Sequence, residues 1–260
     1  MCAICGCSDA VHRHEPSAHA HQHEHEHARE HGHAHEHDSS LEHPHQHAVQ
    51  AAILGKNDRI AATTRQFLEE HRILALNVVS SPGAGKTTVL ERTIADLRGK
   101  REIQVIEGDQ ATSHDAARIR EAGAAAIQIN TGTGCHLDAA MVAAALRELA
   151  PRPGTLLFIE NVGNLVCPAL FDLGERAKVL IASVTEGEDK PLKYPHMFRA
   201  SQLVLLNKMD LLPHVRFDVQ RFVRNARQVN SALQVLPISA VGGDGLPHWY
   251  SWMRTLDVRA

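Results

Sequence analysis

From residue 48 onward the hydrophobic positions of this chain follow two alternating rhythms. Short runs rich in Val, Ile and Leu read as strands buried on both faces: residues 73–79, 103–106, 124–129, 156–159, 179–184, 203–206 and 235–238. Between them apolar residues recur at intervals of three and four, which predicts helices over 87–97, 115–121, 137–149, 217–230 and 246–253. Two more helix-spaced stretches, 48–54 and 60–68, precede the first strand, and Gly55-Lys56-Asn57 predicts an interruption between them. Strands that alternate with helices predict an α/β fold, a mostly parallel sheet with helices on both faces. The sequence carries no internal repeat.

Before residue 48 this rhythm is absent. Residues 1–47 hold 14 of the 20 histidines, eight carboxylates and two arginines, with His at every second position from His19 to His27 and from His31 to His37. Such a segment buries too little apolar surface to offset its ordering entropy, so disorder without metal is expected. Near neutral pH most of its imidazoles are unprotonated and able to act as ligands, which suits metal binding better than a merely solubilising tail. The expected organisation is therefore a metal-binding tail, 1–47, followed by one folded domain, 48–260.

Charge and composition narrow the function further. A net charge of -3 and 4% aromatic residues give no basic surface and no stacking platform, so nucleic acid is not an expected partner. No apolar run approaches the roughly 18–20 residues needed to span a bilayer, and the N-terminus lacks the apolar core of a signal peptide. A cytoplasmic protein without membrane contact is expected. Its five cysteines then read as thiols for metal or redox work.

Ser80-Ser81-Pro82-Gly83-Ala84-Gly85-Lys86-Thr87 lies between a predicted strand and a predicted helix, the context of a phosphate-binding P-loop. Its first position is Ser80, where the usual pattern has Gly. Gly83, Ala84 and Gly85 would turn backbone N–H groups towards phosphates at a helix N-terminus, whose dipole favours anions. Lys86 would neutralise β- and γ-phosphate charge, Thr87 would offer its hydroxyl to Mg²⁺, and Thr88 would complete the loop. The sheet is thus expected to be that of a P-loop NTPase. Asn207-Lys208-Met209-Asp210 follows a predicted strand end. An Asp there accepts two hydrogen bonds from the guanine edge, whereas adenine would leave a charged acceptor unpaired. The bound nucleotide is therefore expected to be GTP or GDP, with Ser239 and Ala240 forming a supporting guanine loop. Asp109 and Glu160 sit at strand ends and are expected to join Thr87 around Mg²⁺. Buried caps or salt bridges are the competing reading of these two acids. Glu160-Asn161-Val162-Gly163 resembles the switch motif Asp-x-x-Gly, in which Gly163 would meet the γ-phosphate. No residue stands out as a base for the attacking water, so hydrolysis at the catalytic group Lys86, Thr87, Asp109, Glu160 and Gly163 is expected to be slow and regulatory.

Cysteine spacing points to two metal sites. Cys2, Cys5 and Cys7 form Cys-x-x-Cys-Gly-Cys, three thiolates around a flexible Gly6 that suit square-planar Ni²⁺ and also tetrahedral Zn²⁺. Cys135 and His136 follow the Gly-rich run 130–134, and Cys167 lies four residues after Gly163. A metal held by Cys135, His136 and Cys167 would feel any movement of Gly163. Two thiols buried in a core are the bland alternative. Three ligands are too few for a closed structural site, so either a second subunit completes it or it is weak by design, for transfer.

Together these residues resemble the HypB family of nickel-incorporation GTPases for hydrogenase, within the SIMIBI class of P-loop GTPases. The resemblance rests on the Cys-x-x-Cys-Gly-Cys motif, the His-rich stretch, Ser-Ser-Pro-Gly-Ala-Gly-Lys-Thr-Thr, Glu-Gly-Asp-Gln at 107–110, Gly-Cys-His at 134–136, Glu-Asn-Val-Gly-Asn-Leu-Val-Cys-Pro at 160–168 and Asn-Lys-Met-Asp. It implies GTP-dependent homodimerisation, nickel delivery to the large subunit of a [NiFe]-hydrogenase, and a HypA-type metallochaperone as partner. It also implies that Lys190 sits near the dimer interface, within reach of the partner's nucleotide. Two other readings stand beside it: a nickel store built on the tail histidines, and a related GTPase that serves urease.

Overall fold

The computed structural model describes residues 44–109 and 114–257. The tail histidines before residue 44, with Cys2, Cys5 and Cys7, lie outside the described residues, as does Gln110.

Seven strands form one sheet: β1 (Leu74–Ser80), β2 (Ile103–Asp109), β3 (Ala125–Asn130), β4 (Leu156–Glu160), β5 (Ala177–Ser183), β6 (Leu203–Asn207) and β7 (Gln234–Pro237). Every pairing is parallel, in the order β3-β2-β4-β1-β5-β6-β7. Parallel neighbours need crossovers, and the helices supply them. They are α1 (Pro44–Glu70), α2 (Lys86–Leu97), α3 (His114–Ala122), α4 (Ala139–Leu149), α5 (Lys190–Lys193), α6 (Pro195–Ala200), α7 (Val219–Val229) and α8 (Leu246–Leu256).

The two-residue period of β1 divides the core. Leu74, Leu76 and Val78 pack towards α2, α3 and α8, against Leu90, Ile94, Ile119 and Trp249. Ala75 faces the other way, with Leu68 of α1 and Val142 and Leu146 of α4. Val79 joins Phe198 of α6 and Phe222 of α7. Burial on both faces is why β1, β4, β5 and β6 are made mostly of apolar residues, with Asn77 and Lys178 as interior exceptions.

All seven expected strands and five expected helices are present, with ends displaced by up to three residues. The expected break at Gly55-Lys56-Asn57 is not: α1 runs through it. Its physical reason is tertiary. Asn57 is buried, its amide donates to the carbonyl of Asp172 at 2.8 Å, and its oxygen accepts from the N–H of Ala139 at 2.9 Å. Those bonds hold a weak helix former inside the helix. The short helices α5 and α6, and the 3₁₀ turns at Cys167–Ala169 and Met209–His214, carry too little periodicity to be anticipated.

Candidate nucleotide and metal sites

β1 ends at Ser80, and the chain turns through residues 81–85 into α2 at Lys86. The turn needs left-handed backbone at Gly83 (φ 75°) and Gly85 (φ 93°), the N-cap of α2. Any side chain at Gly85 would strike the Asn207 amide, because an added Cβ would lie 2.6 Å from its nitrogen. The free N–H groups of the first turn of α2 therefore face a cleft of about 440 Å³. Gly83, Gly85, Lys86, Thr87, Thr88, Asp109, Gly163 and Lys208 all line it; Ala84 is buried behind them.

Glu160 lies wholly buried beneath Lys86 and Thr87, which line the cleft. Its Oε1 accepts from Lys86 Nζ at 2.5 Å and from Thr87 Oγ1 at 2.7 Å. Its other oxygen is buried with no hydrogen-bond partner among the described residues. Across the β2–β4 ladder Glu160 faces Glu107, whose Oε2 is orphaned in the same way. Burial first, and then the charge of Glu160, push the Glu107 carboxyl up to about 8, against the opposing pull of Lys86. Buried acceptors without donors are costly, and a divalent cation with its waters is what such oxygens can accept. The donors present, Thr87, Glu160 and Asp109, are hard oxygens that fit Mg²⁺.

The far end of the cleft is built by the β6 and β7 loops. Asn207 ties three segments together: its Nδ2 donates to the Ala84 carbonyl at 3.1 Å, and its Oδ1 accepts the Ala240 N–H at 3.1 Å. Lys208, in left-handed conformation at φ 61°, lays its chain along the loop and donates to the Gly83 carbonyl at 2.7 Å. Ser239 Oγ donates to Asp210 Oδ1 at 2.5 Å and accepts the Gly242 N–H at 2.8 Å, which fixes the direction of the Asp210 carboxylate. The residues expected to read guanine are thus brought together. Lys190 folds onto its own phosphate loop, donating to Ser81 Oγ at 2.5 Å and pairing with Glu186.

Cys135, His136 and Cys167 also come together, from segments 32 residues apart: Cys135 Sγ lies 2.8 Å from Cys167 Sγ and 3.6 Å from His136 Nδ1. The three ligand atoms all fall within 4.8 Å of one another. Cys167 is fully buried and Cys135 half-buried. The His136 ring packs on Phe171 with centroids 4.0 Å apart, and burial holds its pKa below the ordinary value, which favours the neutral imidazole that could act as a ligand. Two thiols and an imidazole at this spacing match the donor preferences of nickel and zinc.

Sequence reasoning missed Glu107, Glu186 and Arg118. Arg118 lines the phosphate cleft and pairs with Glu91 at 2.6 Å. For Glu107 a signal existed. It lies two positions before Asp109 on one strand, so both point to the same face.

The chain resembles known proteins over most of this structure. Residues 74–237 match the family described as "CobW/HypB/UreG, nucleotide-binding domain". Over 211 residues the chain is 60% identical to the hydrogenase maturation factor HypB of Rhizobium leguminosarum bv. viciae, covering 81% of this chain and 71% of that protein. Among solved structures, the hydrogenase maturation factor HypB of Archaeoglobus fulgidus superposes with a TM-score of 0.72 at 37% identity, over 78% of this chain and 98% of that one. HypB of Helicobacter pylori in complex with nickel superposes equally well, with a TM-score of 0.72 at 34% identity, over 79% of this chain and 99% of that one.

Proposed function

The chain belongs to the HypB hydrogenase maturation factors of the CobW/HypB/UreG family, and on that premise we propose that it is a GTP-hydrolysing nickel metallochaperone that serves a [NiFe]-hydrogenase large subunit. One observation carries the reading. Glu160, at the phosphate cleft, and Cys167, at the thiol cluster, lie on one short segment, with Gly163 between them. Nickel is then cargo held next to a nucleotide switch.

In this reading the N–H groups of residues 83–88 and the α2 dipole take the phosphates. Lys86 leaves Glu160 for the β- and γ-phosphate oxygens. Asp210, oriented by Ser239, accepts from the guanine edge, and Lys208 covers the base. Mg²⁺ at Thr87, Asp109 and Glu160 would supply charge neutralisation for phosphoryl transfer. Gly163 contacts the γ-phosphate and shifts on its loss. Hydrolysis is slow, because no described group is placed as a strong base for water. GTP favours a homodimer in which the cluster gains ligands from the second copy. A HypA-type metallochaperone exchanges nickel or zinc with it in the cytoplasm. The His-rich tail stores nickel, and Cys2, Cys5 and Cys7 hold a further ion.

The test is complementation. Expression in a strain unable to mature its hydrogenase should restore hydrogenase activity, and Asp210→Ala or Cys167→Ala should abolish the restoration. A purified protein with no affinity for guanine nucleotides would end this reading. Restoration of urease activity alone would favour the urease-serving alternative.

A further inference from the structure

β1 is the central strand, and all seven of its positions are buried. In its middle, among Leu, Ala and Val, stands Asn77, with no exposed surface. Asn is a poor strand former, and a buried amide is costly unless its groups are bonded. Its partners explain its presence. Asn77 Oδ1 accepts from Asn161 Nδ2 at 3.4 Å, and Asn77 Nδ2 donates to Glu175 Oε1 at 3.0 Å. The same Glu175 oxygen lies 3.7 Å from Lys178 Nζ, on the strand beside β1, where Lys178 is the register partner of Asn77.

The two ends of this chain of contacts reach the two arms of the thiol cluster. Asn161 Oδ1 accepts the N–H of Leu137, the residue after His136, at 3.2 Å. At the other end Lys178 Nζ donates to the carbonyls of Pro168 at 2.7 Å and Phe171 at 3.2 Å. Pro168 follows Cys167, and the Phe171 ring packs on His136. Asn161 itself lies between Glu160 of the phosphate cleft and Gly163. Lys178 is buried, and the Glu175 side chain is only 7% exposed. A buried ion pair is weak support for stability, but bonded to the backbone on both sides it fixes where that backbone can sit.

We propose that Asn161, Asn77, Glu175 and Lys178 are positioning residues, a buried polar relay that makes the spacing of Cys135 and His136 against Cys167 depend on the nucleotide. The proposal rests on the metallochaperone reading above and names the residues through which its coupling acts. A shift of the segment 160–163 moves Asn161. The move pulls directly on the Leu137 N–H, and through Asn77, Glu175 and Lys178 it reaches the Pro168–Phe171 turn. The Asn161–Asn77 link is the longest hydrogen bond in the relay, and at 3.4 Å it is the one that tightens or breaks most readily. Each nucleotide state then offers the metal a different geometry, which is the differential binding that coupling requires.

The test uses the full chain with Cys2→Ser, Cys5→Ser and Cys7→Ser as the parent, so that thiolate-to-nickel charge-transfer absorption reports Cys135 and Cys167 alone. Ni²⁺ is titrated in GDP and in a non-hydrolysable GTP analogue. The parent should show nickel affinities that differ about 5-fold or more between the two states. Asn77→Leu, close in size, and the uncharged pair Lys178→Met with Glu175→Gln break the relay at separate points. Each cuts the arm to the Pro168–Phe171 turn and spares the Asn161–Leu137 bond, so each should bring the two affinities closer together while guanine nucleotide still binds and the nickel band persists, an outcome that a general loss of packing would not give. If one of them loses nucleotide binding through misfolding, the other decides. Variants that keep the parent ratio, or a parent that binds both ligands with equal nickel affinity, overturn the relay and leave the metallochaperone reading standing. A parent with no guanine nucleotide affinity or no thiolate–nickel band overturns that reading instead, and the relay with it.

Discussion

Glu160 is the residue at which the phosphate cleft is assembled. One of its oxygens holds Lys86 and Thr87, and the other waits without a donor beside the equally unsatisfied Glu107. Two buried carboxylates across one ladder cannot both be charged cheaply, and Glu107 is the one that keeps its proton. From 4.5 to about 8 the folded protein therefore holds a proton that the unfolded chain has released. Stability should fall as pH rises through that window. Urea midpoints measured across it, with a chelator and no nucleotide, should decline for the parent and stay flatter for Glu107→Gln. An identical decline in both would assign the pH dependence elsewhere. Asp210 gives a sharper prediction. With Asn in its place the side chain offers a donor where guanine also has one, so GTP affinity should drop by about 100-fold or more. Xanthosine triphosphate, which presents a carbonyl there, should bind the Asp210→Asn variant better than the parent does. Competition against a fluorescent nucleotide reads both, and unchanged GTP affinity would remove Asp210 from the base site.

At the scale of elements, α1 is the informative one. Gly55 lies within it with no atom near where a Cβ would be, and it carries no left-handed backbone requirement. Gly55→Ala should therefore stabilise the fold by about 0.5–1 kcal/mol, a rise of roughly 1–4 °C in melting temperature for a protein of this size. A fall in melting temperature would mean that the helix does break there. Asn57, two residues and about half a turn further on, should behave oppositely. Its bonds to Asp172 and Ala139 join α1 to the turn after Cys167 and to the start of α4. This element thus braces the thiol cluster from outside the phosphate and guanine loops, and no periodicity in its sequence announces that task.

Taken whole, the molecule places the phosphate-loop cleft and the thiols at the carboxyl edge of one parallel sheet, where loops converge and ligands of such folds bind. In the proposed reading the tail acts only through the metal it stores. Deleting residues 8–43, which spares Cys2, Cys5, Cys7 and the start of α1 at Pro44, should leave hydrogenase maturation intact in nickel-rich medium and impair it when nickel is scarce. Loss of maturation in both media would make the tail a delivery element instead of a store. Light scattering should show dimers with a GTP analogue and monomers with GDP.

Seven strands, five helices and the turn of the phosphate loop were legible because each rests on neighbours in sequence: apolar spacing, glycines that a tight turn requires, and a helix N-terminus next to them. Even Cys135, His136 and Cys167 could be grouped, since a Gly-rich run and the switch segment lie beside them. What the chain alone could not disclose depends on through-space pairing. Glu107 became a partner of Glu160 only when β2 and β4 aligned in register. Gly55-Lys56-Asn57 read as a breaker until Asp172 and Ala139 satisfied its amide. Asn77 drew no notice inside an apolar run, and its role emerged only when residues 161, 175 and 178 closed around it. Local propensity is written in adjacent residues, whereas satisfaction of a buried polar group is decided by whichever distant segment the fold brings within about 3 Å.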